Sequence, residues 1–160
     1  MRRIVELAGR ERELERELGL LVAAEAPGLP ELPGCGVLTA AKLLGEIAGV
    51  NRFLDDARLA MHAGAAPLPA SSGTRQRQRL NCSGNRQLNC ALHRIAVNQG
   101  RWHPPARAYL TRKETEGKSR KEALRCLKRH LARVVYRTLR TIEEEKMTST
   151  ARPVSVPALT

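Results

Sequence analysis

A chain of 160 residues is long enough for one buried core, and a formal net charge of +12 makes it a partner for polyanions. Aromatic content of only 2% leaves Leu, Ala, Val and Ile to build that core, and with abundant Arg and Glu this predicts an all-α fold. No run is apolar enough to cross a bilayer, no signal peptide follows Met1, and no basic amphipathic helix carries aromatic anchors, which argues against a membrane role.

The four cysteines, Cys35, Cys82, Cys90 and Cys126, form no C-x-x-C pair and have no histidine at finger spacing. They suit a cytoplasmic protein with free thiols and no metal ligands. The charge is unevenly distributed. Residues 61–140 carry 18 basic and 3 acidic side chains, whereas residues 1–60 carry 8 and 10. A positive field gathered in one segment points to nucleic acid, and a solvated surface is the plainer alternative.

Three units follow in chain order: residues 1–26, 27–145 and 146–160. Within 4–24, Ile4, Leu7, Leu14, Leu18 and Leu21 make a heptad stripe interrupted by Glu11, the pattern of a coiled coil or of a docked amphipathic helix. Ala26-Pro27-Gly28-Leu29-Pro30 ends it. Further helices are predicted from Val37 to Ala48 and, with Asp55 as N-cap, from Asp55 to Ala63. Residues 65–83 show no helical period and form a long, irregular basic loop. Helices resume from Asn85 to Gln99, then from Pro104 or Pro105 to Gly117. The Ser119-x-x-Glu122 capping box opens the last one, with Leu124, Leu127, Leu131, Val134 and Leu139 as its buried stripe. From Lys146 onward the composition predicts disorder.

Four features bear on chemistry. Pro33-Gly34-Cys35-Gly36 precedes a helix, and Gly34 and Gly36 would expose backbone N–H groups to a phosphate, as in helix-hairpin-helix elements; a plain glycine turn fits equally. Lys121, Arg125, Arg129, Arg133 and Arg137 recur every four residues, with Lys128 and Arg140 close to the same strip. Like charges at that spacing disfavour a helix unless an outside anion offsets them. In the loop, Ser71-Ser72-Gly73 stands beside Arg75, Arg77 and Arg79, which could stabilise charge built up during attack by a serine, although a loop serine is ordinarily a turn residue. His62, His93, His103 and His130 show no catalytic or metal spacing. Trp102 reads as a helix-junction anchor, with base stacking as the alternative.

Together these segments resemble the C-terminal domain of the IS110/IS116 family of bacterial insertion-sequence transposases. The ordered set carries the resemblance: Pro33-Gly34-Cys35-Gly36 with Thr39-Ala40-Ala41, Arg52-Phe53, Ala63-Gly64-Ala65-Ala66-Pro67, Ala70-Ser71-Ser72-Gly73, Gly84-Asn85-Arg86-Gln87-Leu88-Asn89 and Gly117-Lys118-Ser119. The resemblance implies that Ser72 (or its neighbour Ser71) is a nucleophile forming a transient phosphoserine link to DNA, and that Arg86 joins the DNA-binding residues. It further implies an RuvC-like domain with magnesium-binding carboxylates, a structured guide RNA and a homo-oligomer; a separate reading of residues 4–24 is an interaction fragment that pairs with full-length transposase. The magnesium would belong to that other domain, so this chain reads as a truncated copy, inactive alone. Cys82 and Ser83 depart from the basic and small residues usual before Gly84. A non-catalytic helix-hairpin-helix module binding DNA or RNA is the alternative.

Overall fold

The computed structural model describes residues 1–69, 78, 79, 81 and 83–150. Among them are six helices: α1 (Arg2–Glu25), α2 (Val37–Ile47), α3 (Asp56–His62), α4 (Arg86–Trp102), α5 (Pro104–Thr115) and α6 (Arg120–Thr150), with a 3-10 turn at Val50–Arg52. The fold is all-helical, as composition predicts. Its one departure among the described residues is a two-residue antiparallel clasp, Leu68 opposite Arg79 and Pro69 opposite Gln78.

Local chemistry sets the helix ends. The Asp55 carboxylate accepts from the Arg58 N–H at 2.7 Å, and the Asn85 side-chain Oδ1 accepts from Gln87 and Leu88 N–H, each at 2.9 Å. Each cap satisfies backbone donors that the helix cannot, worth about 1 kcal/mol. Pro104 opens α5, and Gly117, at φ 86°, turns the chain out of it. The capping box forms: Ser119 donates from backbone N (2.9 Å) and Oγ (2.7 Å) to the Glu122 carboxylate. These bonds hold that carboxyl below its ordinary pKa.

Helix α4 is the centre, packing on α2, α5 and α6, while α3 lies on α6 and α1 on α2. Leu88, Leu92, Ile95 and Ala96 are buried as expected, against Leu43 and Ile47 of α2, Leu110 of α5, and Leu127, Leu131 and Val135 of α6. Burying each such side chain contributes about 1.5–3 kcal/mol.

Several boundaries and faces differ from expectation. The α6 stripe follows the i,i+4 line through Leu127, Leu131, Val135 and Leu139, so Val135 is buried and Val134 only half-buried. Helix α4 continues past Gln99 to Trp102, because Pro104 rather than Gly100 interrupts it. Trp102 is 82% exposed and anchors no junction. Helix α6 runs to Thr150, past Lys146 where disorder was expected. There Lys146 Nζ meets the Glu25 carboxylate at 2.6 Å, tying α6 to the end of α1 and lowering that carboxyl's pKa. Residues 151–160 lie outside the described residues. In α1, Val22 is buried, whereas Ile4, Leu7, Leu14 and Leu21 are exposed.

The end of α3 meets the start of α4 at close range. Three consecutive carbonyls at the end of α3 are taken up by three asparagines spaced four apart. Asn81 Nδ2 donates to Met61 O (3.0 Å), the Asn85 backbone N to His62 O (2.6 Å), and Asn89 Nδ2 to Ala63 O (2.7 Å). Helix-terminal carbonyls lack intrahelical partners, and Met61 O also accepts from the Gly64 N–H at 3.0 Å. Gly64 turns at φ 62° and lies so close to Gly84 that a Cβ on Gly84 would fall on the Gly64 backbone N and Cα. Overpacking at such a contact costs about 1–3 kcal/mol. Gly84→Ala should therefore lower the urea midpoint by a corresponding amount without changing the m-value. An unchanged midpoint would mean that these two backbones do not touch.

Candidate nucleic-acid interface

Two grooves contain residues that the sequence singles out, and they share no lining residue. The first surrounds the glycine hairpin. The Cys35 N–H bonds to Leu32 O at 2.9 Å, and Gly36 caps α2, its carbonyl accepting from Thr39 and Ala40 N–H, each at 2.9 Å. Gly34 sits at φ 78° against α4, where a Cβ would meet Asn98 Cβ at 3.0 Å and Ile95 O at 3.4 Å. Buried Gln99 donates to Pro33 O at 2.8 Å. Packing on α4 thus accounts for Gly34 without any ligand, whereas Gly36 faces open space. The adjoining groove contains Arg94 and His93 but also Glu15, so its charge is close to balanced.

The second is a cleft of about 410 Å³ between α5, α6 and the turn after α3. Lys113, Lys118, Arg125, Lys128, Arg129 and Arg133 line it, with Glu122 as the one carboxylate among its described residues. That carboxylate is already engaged by Ser119. Some cations are also engaged: Lys113 with Glu116 at 2.7 Å, Lys118 with Glu116 at 3.5 Å, and Arg133 with Asp56 at 2.7 Å. The Glu116 contact holds the Lys113 ammonium above its ordinary pKa. Arg125 and Arg129 make no ion pair with a described residue and point their charge into solvent. His130 stacks on Tyr109, ring centroids 6.2 Å apart, on the cleft wall.

The basic strip of α6 is not one face. A four-residue step advances about 40° around a helix, so Lys121 and Arg137 end up about 160° apart. The cleft gathers the middle three, Arg125, Arg129 and Arg133, and leaves Lys121 and Arg137 exposed outside it. Arg86, first residue of α4, is exposed and lies in neither groove. Arg140 pairs with Asn51 at 2.7 Å and with Glu144 at 3.3 Å. Lys128, read from sequence as part of the strip, is buried, because its position falls on the α6 face toward α4. Ser71, Ser72, Gly73, Arg75 and Arg77 lie outside the described residues, and Arg79 enters only through its backbone in the clasp. Residues on both sides of that segment, Pro67 and Asn81, line the cleft.

Sequence reasoning missed the roles of Asn81 and Asn89, whose four-residue spacing with Asn85 was the available signal. Among the described residues no cluster of His, Cys, Asp and Glu could hold a metal ion; Asp55 and Asp56 serve as helix cap and as partner of Arg133. No described helix is long and apolar enough to cross a membrane.

With this helical body and its basic cleft in view, comparison with known proteins assigns the chain. Residues 27–111 match the model of the transposase IS116/IS110/IS902 family. The chain is 36% identical over 141 residues to the insertion element IS110 uncharacterized 43.6 kDa protein of Streptomyces coelicolor, covering 85% of this chain and 35% of that protein. It is 30% identical over 135 residues to the insertion element IS116 uncharacterized 44.8 kDa protein of Streptomyces clavuligerus, covering 81% of this chain and 32% of that protein. It is also 30% identical over 116 residues to a pilin gene-inverting protein of Moraxella bovis, covering 70% of this chain and 36% of that protein. The chain belongs to the IS116/IS110/IS902 transposase family, and it spans about a third of the length of these relatives.

The hairpin geometry has a chemical consequence. Burial pushes the Cys35 thiol up to about 11, while Cys90 is exposed. The thiolate is the reactive form, so a protonated, enclosed thiol is inert. Iodoacetamide at pH 8 should label Cys90 in the native protein and leave Cys35 unmodified, as read by peptide mass spectrometry. Equal labelling of the two would show that the hairpin is not docked on α4.

Proposed function

We propose that this chain is the DNA-binding, serine-bearing C-terminal half of an insertion-sequence transposase. In this reading the cleft between α5 and α6 carries the DNA backbone and Ser72 is the nucleophile. One observation supports it above the others: six cations face one engaged carboxylate in a cleft lined by Pro67 and Asn81, which flank the serine segment in sequence. Ser72 is five peptide units from Pro67 on the cleft wall, a chain length spanning at most about 18 Å. Short reach from a basic cleft is what attack on a bound phosphodiester requires.

The reaction is a transesterification. Ser72 Oγ forms a bond to phosphorus, the bond from phosphorus to one deoxyribose oxygen breaks, and that oxygen leaves as a hydroxyl carrying a proton. The hydroxyl of the other DNA end later attacks the phosphoserine and releases Ser72 Oγ–H. Arg125 and Arg129, which close no ion pair with a described carboxylate, stabilise charge on the nonbridging oxygens. The metal-binding carboxylates belong to another domain, and the exposed Ile4, Leu7, Leu14 and Leu21 seam of α1 supports a homo-oligomer. A structured guide RNA belongs to the same reading, through the family resemblance.

Supplied with an RuvC-like companion domain and element-end DNA, the chain should form an SDS-stable protein–DNA adduct that Ser72→Ala abolishes while duplex binding persists. An adduct that survives Ser72→Ala would sink the nucleophile assignment, and unaltered recombination by that variant would favour a non-catalytic binding module. Replacing Arg125 and Arg129 together by Ala should reduce the slope of log K against log salt by about 2, at roughly 0.9 per duplex phosphate contact.

A further inference from the structure

Lys128 is the charged side chain buried in the described core, 8% exposed on the face of α6 turned toward α4. Its Nζ donates to Asn89 Oδ1 at 2.8 Å, and Asn89 Nδ2 in turn donates to Ala63 O at 2.7 Å. An ammonium has three donors, and Lys128 makes no other hydrogen bond and no ion pair within the described residues. Its charged neighbour is Arg125, a like charge that, after burial itself, further disfavours the ammonium form. A buried cation facing a neutral amide and a guanidinium is a poor way to stabilise a fold, since an apolar side chain of similar length fills the space without desolvating a charge. Yet the side chain lies on the wall of the basic cleft, and two of its three donors have no partner among the described residues.

We infer that Lys128 is the buried anion ligand of the cleft, donating to a nonbridging phosphate oxygen of a nucleic-acid strand, with Asn89 as the positioning residue that holds its ammonium. The inference rests on reading the cleft as a nucleic-acid site and is independent of Ser72. A phosphodiester carries two nonbridging oxygens, and an ammonium beside the Arg125 and Arg129 guanidiniums offers both a point donor and a planar fork. The missing counter-charge in the free protein is then the ligand's own.

Lys128→Met in the full chain separates this role from a structural one. Without ligand the variant should melt at or above the wild-type temperature. Its affinity for a 20-bp duplex should fall on the order of tenfold, the loss of one hydrogen bond to a charged group. The log K–log salt slope should become shallower by about 0.9, one phosphate contact. A lower melting temperature with affinity and slope unchanged would overturn the inference and leave Lys128 as a structural donor to Asn89. If the variant does not fold, NMR of ε-13C-lysine in the wild-type chain decides: the Lys128 resonance should shift when duplex is added, and a static resonance overturns the inference. A response to inorganic pyrophosphate without one to duplex would also overturn it, in favour of a free-phosphate site. Weakened duplex binding in the Arg125→Ala, Arg129→Ala double variant, with Lys128→Met unaffected, removes only this inference. Unaltered binding in both removes the cleft as the interface.

Discussion

The carbonyls of Met61, His62 and Ala63 end a short helix, and without partners each would cost free energy in the interior. Asn81, Asn85 and Asn89 supply one donor apiece, while Gly64 and Gly84 let the two backbones approach closely enough for those bonds to close. This junction ties α3 to the start of the central helix. It also orients Asn89, whose other amide atom holds Lys128 from α6. The join of α3 to α4 therefore depends on one set of polar contacts and on the absence of a side chain at Gly84, where a Cβ would fall on the Gly64 backbone.

Electrostatics follows from that frame. Helix α6 turns its apolar line toward α4 and α3, so cations on the adjoining faces are sorted by angle rather than by sequence spacing. Arg133 and Arg140 become tethers to Asp56 and Asn51, giving up part of their value to a ligand. Arg125 and Arg129 keep theirs, and Lys128 is carried inside. An exposed pair such as Arg133 with Asp56 contributes little stability, about 0–1 kcal/mol, so its larger effect is to set which cations remain available.

The two grooves illustrate why a motif and a site differ. A glycine pair before a helix is compatible with phosphate binding, but in this protein Gly34 is explained by a left-handed turn pressed against Asn98 and Ile95. Glu15 further balances the charge around the hairpin. The α5–α6 cleft, by contrast, carries a charge excess, six cations against one carboxylate among its described residues.

The amino-acid sequence alone determined the helical class, the starts of α3, α4, α5 and α6, and the concentration of positive charge, because caps, prolines and heptad spacing act over a few residues. The fate of individual cations was not legible there. Whether a lysine at position 128 faces water or a neighbouring helix depends on how α4 and α6 cross, and the drift of a four-residue strip around α6 matters only once a cleft exists to select from it. The exposure of Trp102 and the helical continuation to Thr150 were likewise decided by packing between distant segments, as with Lys146 on Glu25. Local patterns specify where helices begin; only the assembled core specifies which of their charges are left to bind something else.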